Sequence, residues 1–144
     1  MRVLALDLGQ RRIGVALSDA LGFLASPLTV LACSDRGSEV AAIEELVRKH
    51  QVEHLVVGYP RSLNGTVGPQ AKLVDEFVEL LQARLQVPVI LWDERLSTAQ
   101  AERLMHDAGQ RVRRERIDAA AAAVILQSYL DAQSLPPGAH AQQN

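Results

Sequence analysis

Residues 2–18, RVLALDLGQRRIGVALS, decide the fold of this chain. The apolar run 2–8 predicts a buried strand, and residues 12–18 predict a second one. Because a turn of only three residues (9–11) separates them, the two strands are expected to form an antiparallel hairpin. Asp7 interrupts the first run near its end, where a buried carboxylate needs a partner, water or a cation. The alternative is an aspartate that only caps the turn.

The rest of the chain predicts one more leading strand and then strands that alternate with helices. The predicted elements are a strand over 22–32, a helix over 38–50, a strand over 53–58, a helix from Pro69 to Leu85, a strand over 87–92 and helices over 97–108 and 117–132. Pro27 predicts that the third strand lies at a sheet edge. The fold class is therefore α/β: a mixed five-stranded sheet, with three antiparallel leading strands and two parallel strands, flanked by helices.

Composition excludes several classes of protein. The 144 residues suit one domain, and 48% hydrophobic and 22% charged residues argue against disorder. No apolar run approaches the ~20 residues of a membrane span, and residues 1–12 do not resemble a signal peptide. A single cysteine, Cys33, suits a cytoplasmic location. We expect a domain over residues 1–132 and a mobile tail over 133–144, which lack a periodic apolar face.

Two further acidic residues follow the predicted fifth strand. Asp93 and Glu94 come at its carboxyl end, where functional sites of α/β sheets gather. Strand alternation does not decide which of the two points into a site. The alternative is a polar loop in which Glu94 and Arg95 form a local ion pair.

Asp118 opens the last predicted helix. It shares one helical stripe with Ala122, Ile125 and Tyr129, and this stripe is expected to face the sheet. Asp118 is therefore predicted to point inward, although an acid in the first turn can also simply compensate the helix dipole.

These acids are hard oxygen ligands of the kind that suits Mg²⁺ or Mn²⁺. Two such ions can activate water and stabilise the leaving oxygen of a phosphodiester. The sequence has no phosphate-binding P-loop motif, and its histidines show no zinc-ligand spacing. The residues thus favour a metal site that acts on phosphodiesters.

Arginine supplies nearly all of the basic residues, since only Lys49 and Lys72 of the 15 are lysine. A guanidinium group can bind phosphate through two hydrogen bonds. A glycine-containing loop, residues 65–68, precedes a helix N-terminus and could hold a phosphate, although an ordinary flexible loop is the more favoured interpretation. The candidate nucleic-acid-binding residues are Arg11, Arg12, Arg61, Arg95, Arg111, Arg113, Arg114 and Arg116. A solvated charged surface is the alternative for this group.

Four segments in order, residues 4–19, 56–71, 91–105 and 116–131, make the chain resemble the YqgF/RuvX family. The resemblance implies an RNase H-like fold, and activity either in maturing the 5′ end of pre-16S rRNA or in resolving Holliday junctions. By motif, the acidic positions of the family fall on Asp7, Glu94 and Asp118 as catalytic and metal-binding residues. Ala121 stands where related resolvases carry a further acid, so a four-acid site is not expected.

The most favoured function is a Mg²⁺- or Mn²⁺-dependent endonuclease, a phosphodiester hydrolase of structured nucleic acid such as pre-rRNA or branched DNA. A non-catalytic RNase H-like module that binds rRNA precursors is the main alternative. A nucleotide-binding domain of the actin and sugar-kinase type is a third. A junction resolvase is expected to be a homodimer because it makes two symmetric cuts, whereas a trimming nuclease can act as a monomer.

Overall fold

The structure, a computed structural model, describes residues 2–9, 11–32, 34–59, 68–93 and 114–133. Within these ranges five strands form one sheet, and three helices pack against it. The strands are β1 (Arg2–Leu8), β2 (Arg12–Ser18), β3 (Ala25–Ala32), β4 (Val52–Tyr59) and β5 (Val89–Asp93). The helices are α1 (Arg36–Lys49), α2 (Pro69–Arg84) and α3 (Arg114–Gln133).

The strand order is β3-β2-β1-β4-β5. The pairs β1/β2 and β2/β3 are antiparallel, whereas β1/β4 and β4/β5 are parallel. This confirms the predicted mixed five-stranded sheet. Because β1, β4 and β5 run in the same direction, they end at the same edge of the sheet, which we call the carboxyl edge.

Each face of the sheet buries its own apolar core. Leu4 and Leu6 of β1 pack with α1 and α2 on one face, the α1/α2 face. Val3 and Ala5 of the same strand pack with α3 on the other face, the α3 face. Side chains therefore alternate strictly along the central strand, and their partners identify the face that each position occupies.

Several predicted boundaries differ from the structure by one to three residues, and the largest differences are at the starts of β3 and α3. β3 begins at Ala25 and not at residue 22, because residues 19–24 form a turn. The Asp19 carboxylate accepts hydrogen bonds from the backbone N–H groups of Phe23 and Leu24 at 2.8 and 3.3 Å, which lowers the pKa of Asp19. The helix predicted from residue 117 begins at Arg114. The helix predicted over 97–108 lies outside the described residues.

β3 is an edge strand, as Pro27 predicts. Its register with β2 shifts between the pairs Val15–Thr29 and Ala16–Pro27, so Leu28 is the extra residue of a β-bulge. The bulge and the proline, which has no N–H group, together interrupt this edge.

Glu39 anchors the beginning of α1. Its side chain is buried, and it accepts hydrogen bonds from the Ser34 backbone N–H at 2.9 Å and from Arg36 Nη1 at 3.0 Å. The Arg36 guanidinium carbon also lies 5.1 Å from the centre of the Phe77 ring on α2. The buried Glu39 carboxylate thus fixes the loop before α1 through the Ser34 N–H. It also orients the Arg36 side chain for its cation–π contact with α2.

Replacing Glu39 with alanine is expected to lower the free energy of unfolding by about 1–3 kcal/mol, because the Ser34 N–H and Arg36 lose their acceptor. Urea denaturation measures the change. The exposed Glu45, which pairs with Arg48, provides the control, and its replacement should cost less than about 1 kcal/mol. Equal losses in both variants would contradict the anchoring role.

Candidate functional site at the carboxyl edge

Asp7 is half-buried near the end of the central strand β1. Since Val3 and Ala5 lie on the α3 face, alternation places Asp7 on the same face. Its cross-strand partner on β2 is Gly14. The last registered pair of β1 and β4 joins Leu6 to Val57. Continuing this parallel register by one residue places Gly58 of β4 beside Asp7. The carboxylate therefore has a glycine in each neighbouring strand.

The two glycines beside Asp7 are themselves buried. Gly14 and Gly58 contribute no side chain where another residue would project toward α3. A carboxylate oxygen is a hard ligand of the kind that Mg²⁺ and Mn²⁺ prefer. The donor chemistry of Asp7, beside two positions without side chains, thus fits a divalent metal ion.

The turn after Asp7 is closely packed. The Gly9 N–H donates a hydrogen bond to the Arg12 carbonyl oxygen at 2.9 Å, and a Cβ added at Gly9 would lie 2.6 Å from that same oxygen. Gln70, near the start of α2, donates through Nε2 to the Leu8 carbonyl oxygen at 3.0 Å. Because this turn tolerates no side chain at Gly9, the path of the chain after Asp7 is tightly constrained.

The two arginines of this turn differ in exposure. Arg11 is exposed, whereas Arg12 is half-buried. Alternation from Ala16 on β2 places Arg12 on the α3 face, diagonal to Asp7. The turn therefore brings positive charge beside the candidate acid.

Asp93 lies at the carboxyl edge but on the other face. Trp92 packs on the α3 face, so the next residue of β5 belongs to the α1/α2 face, as does its registered partner Tyr59. The Tyr59 hydroxyl donates to Asp75 Oδ2 of α2 at 3.1 Å. Asp93 and Asp7 therefore lie on opposite faces of the sheet. The sequence alone did not decide the face of Asp93.

Trp92, at the carboxyl edge on the α3 face, makes a polar contact with α3. Its Nε1 donates to the Ser128 hydroxyl of α3 at 3.1 Å. The indole also meets the Tyr129 ring edge-on, with centroids 5.4 Å apart and an interplanar angle of 90°. Burial raises the pKa of Tyr129 above its usual value. The spacing of residues in the sequence gave no signal for this contact.

Asp118 belongs to the early turns of α3, one turn before the fully buried Ala122. Gln127, later in the helix, accepts from the Ala25 N–H and donates to the Phe23 carbonyl oxygen, both at 2.9 Å. These contacts hold Gln127 at the β2–β3 turn, which lies opposite the carboxyl edge. A helix of 20 residues spans about 30 Å, so its beginning extends well away from that turn.

The remaining candidates are only partly covered by the structure. Arg114 and Arg116 fall within α3, which begins three residues before the helix predicted from residue 117. The residues that lie outside the described ranges are Glu94, Arg61, Arg95, Arg111, Arg113 and loop residues 65–67. Among the described residues, no three acidic, histidine or cysteine side chains form a metal-binding group. No helix in the described ranges is long and apolar enough to cross a membrane.

Comparison with known proteins identifies the family. The model of the RuvX family, described as Holliday junction resolvase, matches residues 1–132. The chain belongs to the RuvX family. This RuvX chain is 50% identical over 134 residues to a protein of Roseiflexus sp. (strain RS-1), and the match covers 92% of this chain and 95% of that protein. It is 52% identical over 130 residues to a protein of Dehalococcoides mccartyi, covering 90% and 97% of the two chains. Both relatives are named as candidate pre-16S rRNA nucleases.

Solved structures place the RuvX chain in the RNase H-like fold. RuvC of Thermus thermophilus in complex with a Holliday junction substrate matches with a TM-score of 0.62 and 17% identity, covering 95% of this chain and 99% of that one. The Holliday junction resolvase of fowlpox virus matches with a TM-score of 0.56 and 11% identity, covering 92% and 99%. At these identities the likeness concerns the fold, and it confirms the fold that the sequence motifs imply.

Proposed function

We propose that this RuvX chain is a Mg²⁺- or Mn²⁺-dependent endonuclease of structured nucleic acid, with Asp7, Glu94 and Asp118 as its catalytic, metal-binding carboxylates. The observation that carries the proposal is the position of Asp7. It lies at the carboxyl end of the central strand, between two glycines, on the face covered by α3. Membership of the RuvX family supports a nuclease as the class of enzyme.

Strand alternation supports Glu94 over Asp93 as the second acid. Asp93 belongs to the face opposite Asp7, and the residue after it would return to the face of Asp7 if the strand geometry continued. Helical spacing supports Asp118 as the third acid, since it precedes the sheet-facing Ala122 by one turn.

The proposed reaction is hydrolysis of a phosphodiester. Water attacks phosphorus in line, the bond to the 3′ oxygen breaks, and the products carry a 3′-hydroxyl and a 5′-phosphate. The metal would supply positive charge beside the phosphate when bound by the three carboxylates. Asp7 itself would provide a fixed oxygen ligand, and the two glycines would leave space for the phosphate.

Arginines would bind the nucleic-acid backbone around the acids. The exposed Arg11 and the diagonal neighbour Arg12 lie next to Asp7 in the described turn. We propose the same role for Arg61, Arg95, Arg111, Arg113, Arg114 and Arg116. Binding that depends on these contacts should weaken steeply as salt increases.

The names of the relatives favour the 5′ end of pre-16S rRNA as substrate, whereas the description of the family favours Holliday junctions. We propose processing of one or both. Either substrate is consistent with the cytoplasmic location that we expect. A homodimer belongs to the proposal only for junction resolution, which requires two symmetric cuts.

A cleavage assay that offers both substrates tests this function. A four-way DNA junction and a 5′-extended 16S precursor RNA are incubated in parallel with the full chain and Mn²⁺, and the Asp7→Asn variant is the control. Cleavage of either substrate that is lost in the variant supports the proposal and identifies the substrate. Tight, salt-dependent binding of both substrates without cleavage would instead support the non-catalytic rRNA-binding module.

A further inference from the structure

Trp92 links the edge strand β5 to α3. In the described part of the chain β5 pairs with β4, while α3 packs mainly on β1, β2 and β3. The indole must therefore extend across β4 to reach Ser128, to which it donates its hydrogen bond at 3.1 Å. Its registered partner on β4 is Gly58, which has no side chain to block that path.

This link joins two elements that carry proposed metal ligands. Glu94 follows Trp92 by two residues, and Asp118 precedes Ser128 by ten residues on the same helix. Carboxylates brought together around an empty site repel one another. In the proposed site such repulsion would push the end of β5 away from α3, and the hydrogen bond between Trp92 and Ser128 would oppose that movement.

We propose that Trp92 and Ser128 are a positioning pair that sets the spacing between the end of β5 and α3, and through it the affinity of the site for its divalent cation. This inference rests on the proposed function. Neither side chain binds the metal or the substrate in this scheme. The edge-on contact with Tyr129 supports the same orientation of the indole, because a T-shaped aromatic pair is stable only within a narrow range of ring positions.

The Ser128→Ala variant tests the pair with the smallest change, since it removes only the hydroxyl that accepts the bond. Its affinity for Mn²⁺ is measured from the electron paramagnetic resonance signal of free Mn²⁺. We expect binding about tenfold weaker than in the parent, the lower end of the effect of residues that orient metal ligands. Cleavage should return to within about twofold of the parent rate when Mn²⁺ is saturating, because the variant still forms the site.

The Trp92→Phe variant removes the donor from the same bond and retains an aromatic ring. It is expected to weaken Mn²⁺ binding by a similar factor. The double variant should weaken binding no further than either single one, since both changes remove one interaction. Trp92 is the only tryptophan of the chain, so quenching of its fluorescence by paramagnetic Mn²⁺ gives a second readout in the parent and in Ser128→Ala.

The Tyr59→Phe variant is the matched control. It removes another hydrogen bond of 3.1 Å, between Tyr59 and Asp75, at the same edge but on the opposite face. We expect it to bind Mn²⁺ as tightly as the parent. Equal weakening in this control would overturn the inference, because the effect would then be a general loosening of the edge.

The two proposals fail in different ways. If the parent binds Mn²⁺ and cleaves, but Ser128→Ala and Trp92→Phe bind Mn²⁺ as tightly as the parent, the positioning pair is wrong and the nuclease function stands. If the parent neither binds Mn²⁺ nor cleaves, the proposed function fails and the positioning role fails with it.

Discussion

Replacing Asp7 with asparagine is expected to lower the cleavage rate by about a thousandfold or more. Asparagine keeps the shape of the side chain but removes the negative charge that would hold the metal. Charge stabilisation by a bound metal contributes several kcal/mol to a transition state, and about 4 kcal/mol corresponds to a thousandfold in rate. Single-turnover cleavage at saturating Mn²⁺ measures the loss, and circular dichroism checks that the fold is retained.

Asp93 offers a matched control for this experiment. It is also a half-buried aspartate at the carboxyl edge, but it lies on the α1/α2 face. The Asp93→Asn variant should keep cleavage within about threefold of the parent, since charge on the far side of the sheet does not reach the site directly. If Asp7→Asn cleaves at the parent rate, or if Asp93→Asn loses as much activity as Asp7→Asn, the assignment of the site to the α3 face is wrong.

The second large effect is expected at Gly9. In Gly9→Ala the new Cβ would lie 2.6 Å from the Arg12 carbonyl oxygen, which is a backbone atom and cannot rotate away. The turn must therefore shift, at a cost of about 1–3 kcal/mol of folding free energy. Since Asp7 and Arg11 flank this turn, a displacement of about 1 Å there can lower the cleavage rate by about a hundredfold. Urea denaturation and single-turnover cleavage measure the two effects.

Gly37 serves as the control for that substitution. It lies at the exposed start of α1, where an added Cβ would contact only the end of the Asp35 side chain at 3.3 Å. Gly37→Ala is expected to leave cleavage unchanged. Parent-like stability and activity in Gly9→Ala would show that the turn adapts without moving the site.

The order of the elements was predictable because their apolar patterns are strong. Residues 2–8 and 12–18 agree with β1 and β2 to the residue. The ends of other elements depend on local hydrogen bonds that have no periodicity. The Asp19 carboxylate accepts a hydrogen bond within the turn before β3. Because of this turn, β3 begins at Ala25, three residues after the predicted start at residue 22.

The candidate site was predictable in part. Asp7 could be selected because a lone carboxylate in an apolar strand is costly to bury. The choice between Asp93 and Glu94 required three-dimensional information, because the apolar run 87–92 has no alternation of polar and apolar residues that would mark its faces. The contact of Trp92 with Ser128 indicates the face of Trp92, and by alternation that of Asp93, whereas the choice of Glu94 stays a proposal. The roles of Glu94 and Asp118 stay predictions.

Gly14 and Gly58 show why some features escape sequence reasoning altogether. Each looks like an ordinary glycine within an apolar strand. Only the register of three strands brings them to the two sides of Asp7. The absence of neighbouring side chains at these two positions is therefore a property of strand pairing and not of any single segment.

The interrupted edge of β3 bears on how this chain behaves at high concentration. An exposed strand with an unbroken row of N–H and C=O groups can template the addition of strands from other molecules, and so begin aggregation. Pro27 removes one donor from that row, and the extra residue Leu28 breaks its spacing. The edge of β3 therefore offers no continuous row of backbone N–H and C=O groups to a strand of a second molecule. Self-association by extension of the sheet is disfavoured on the β3 side.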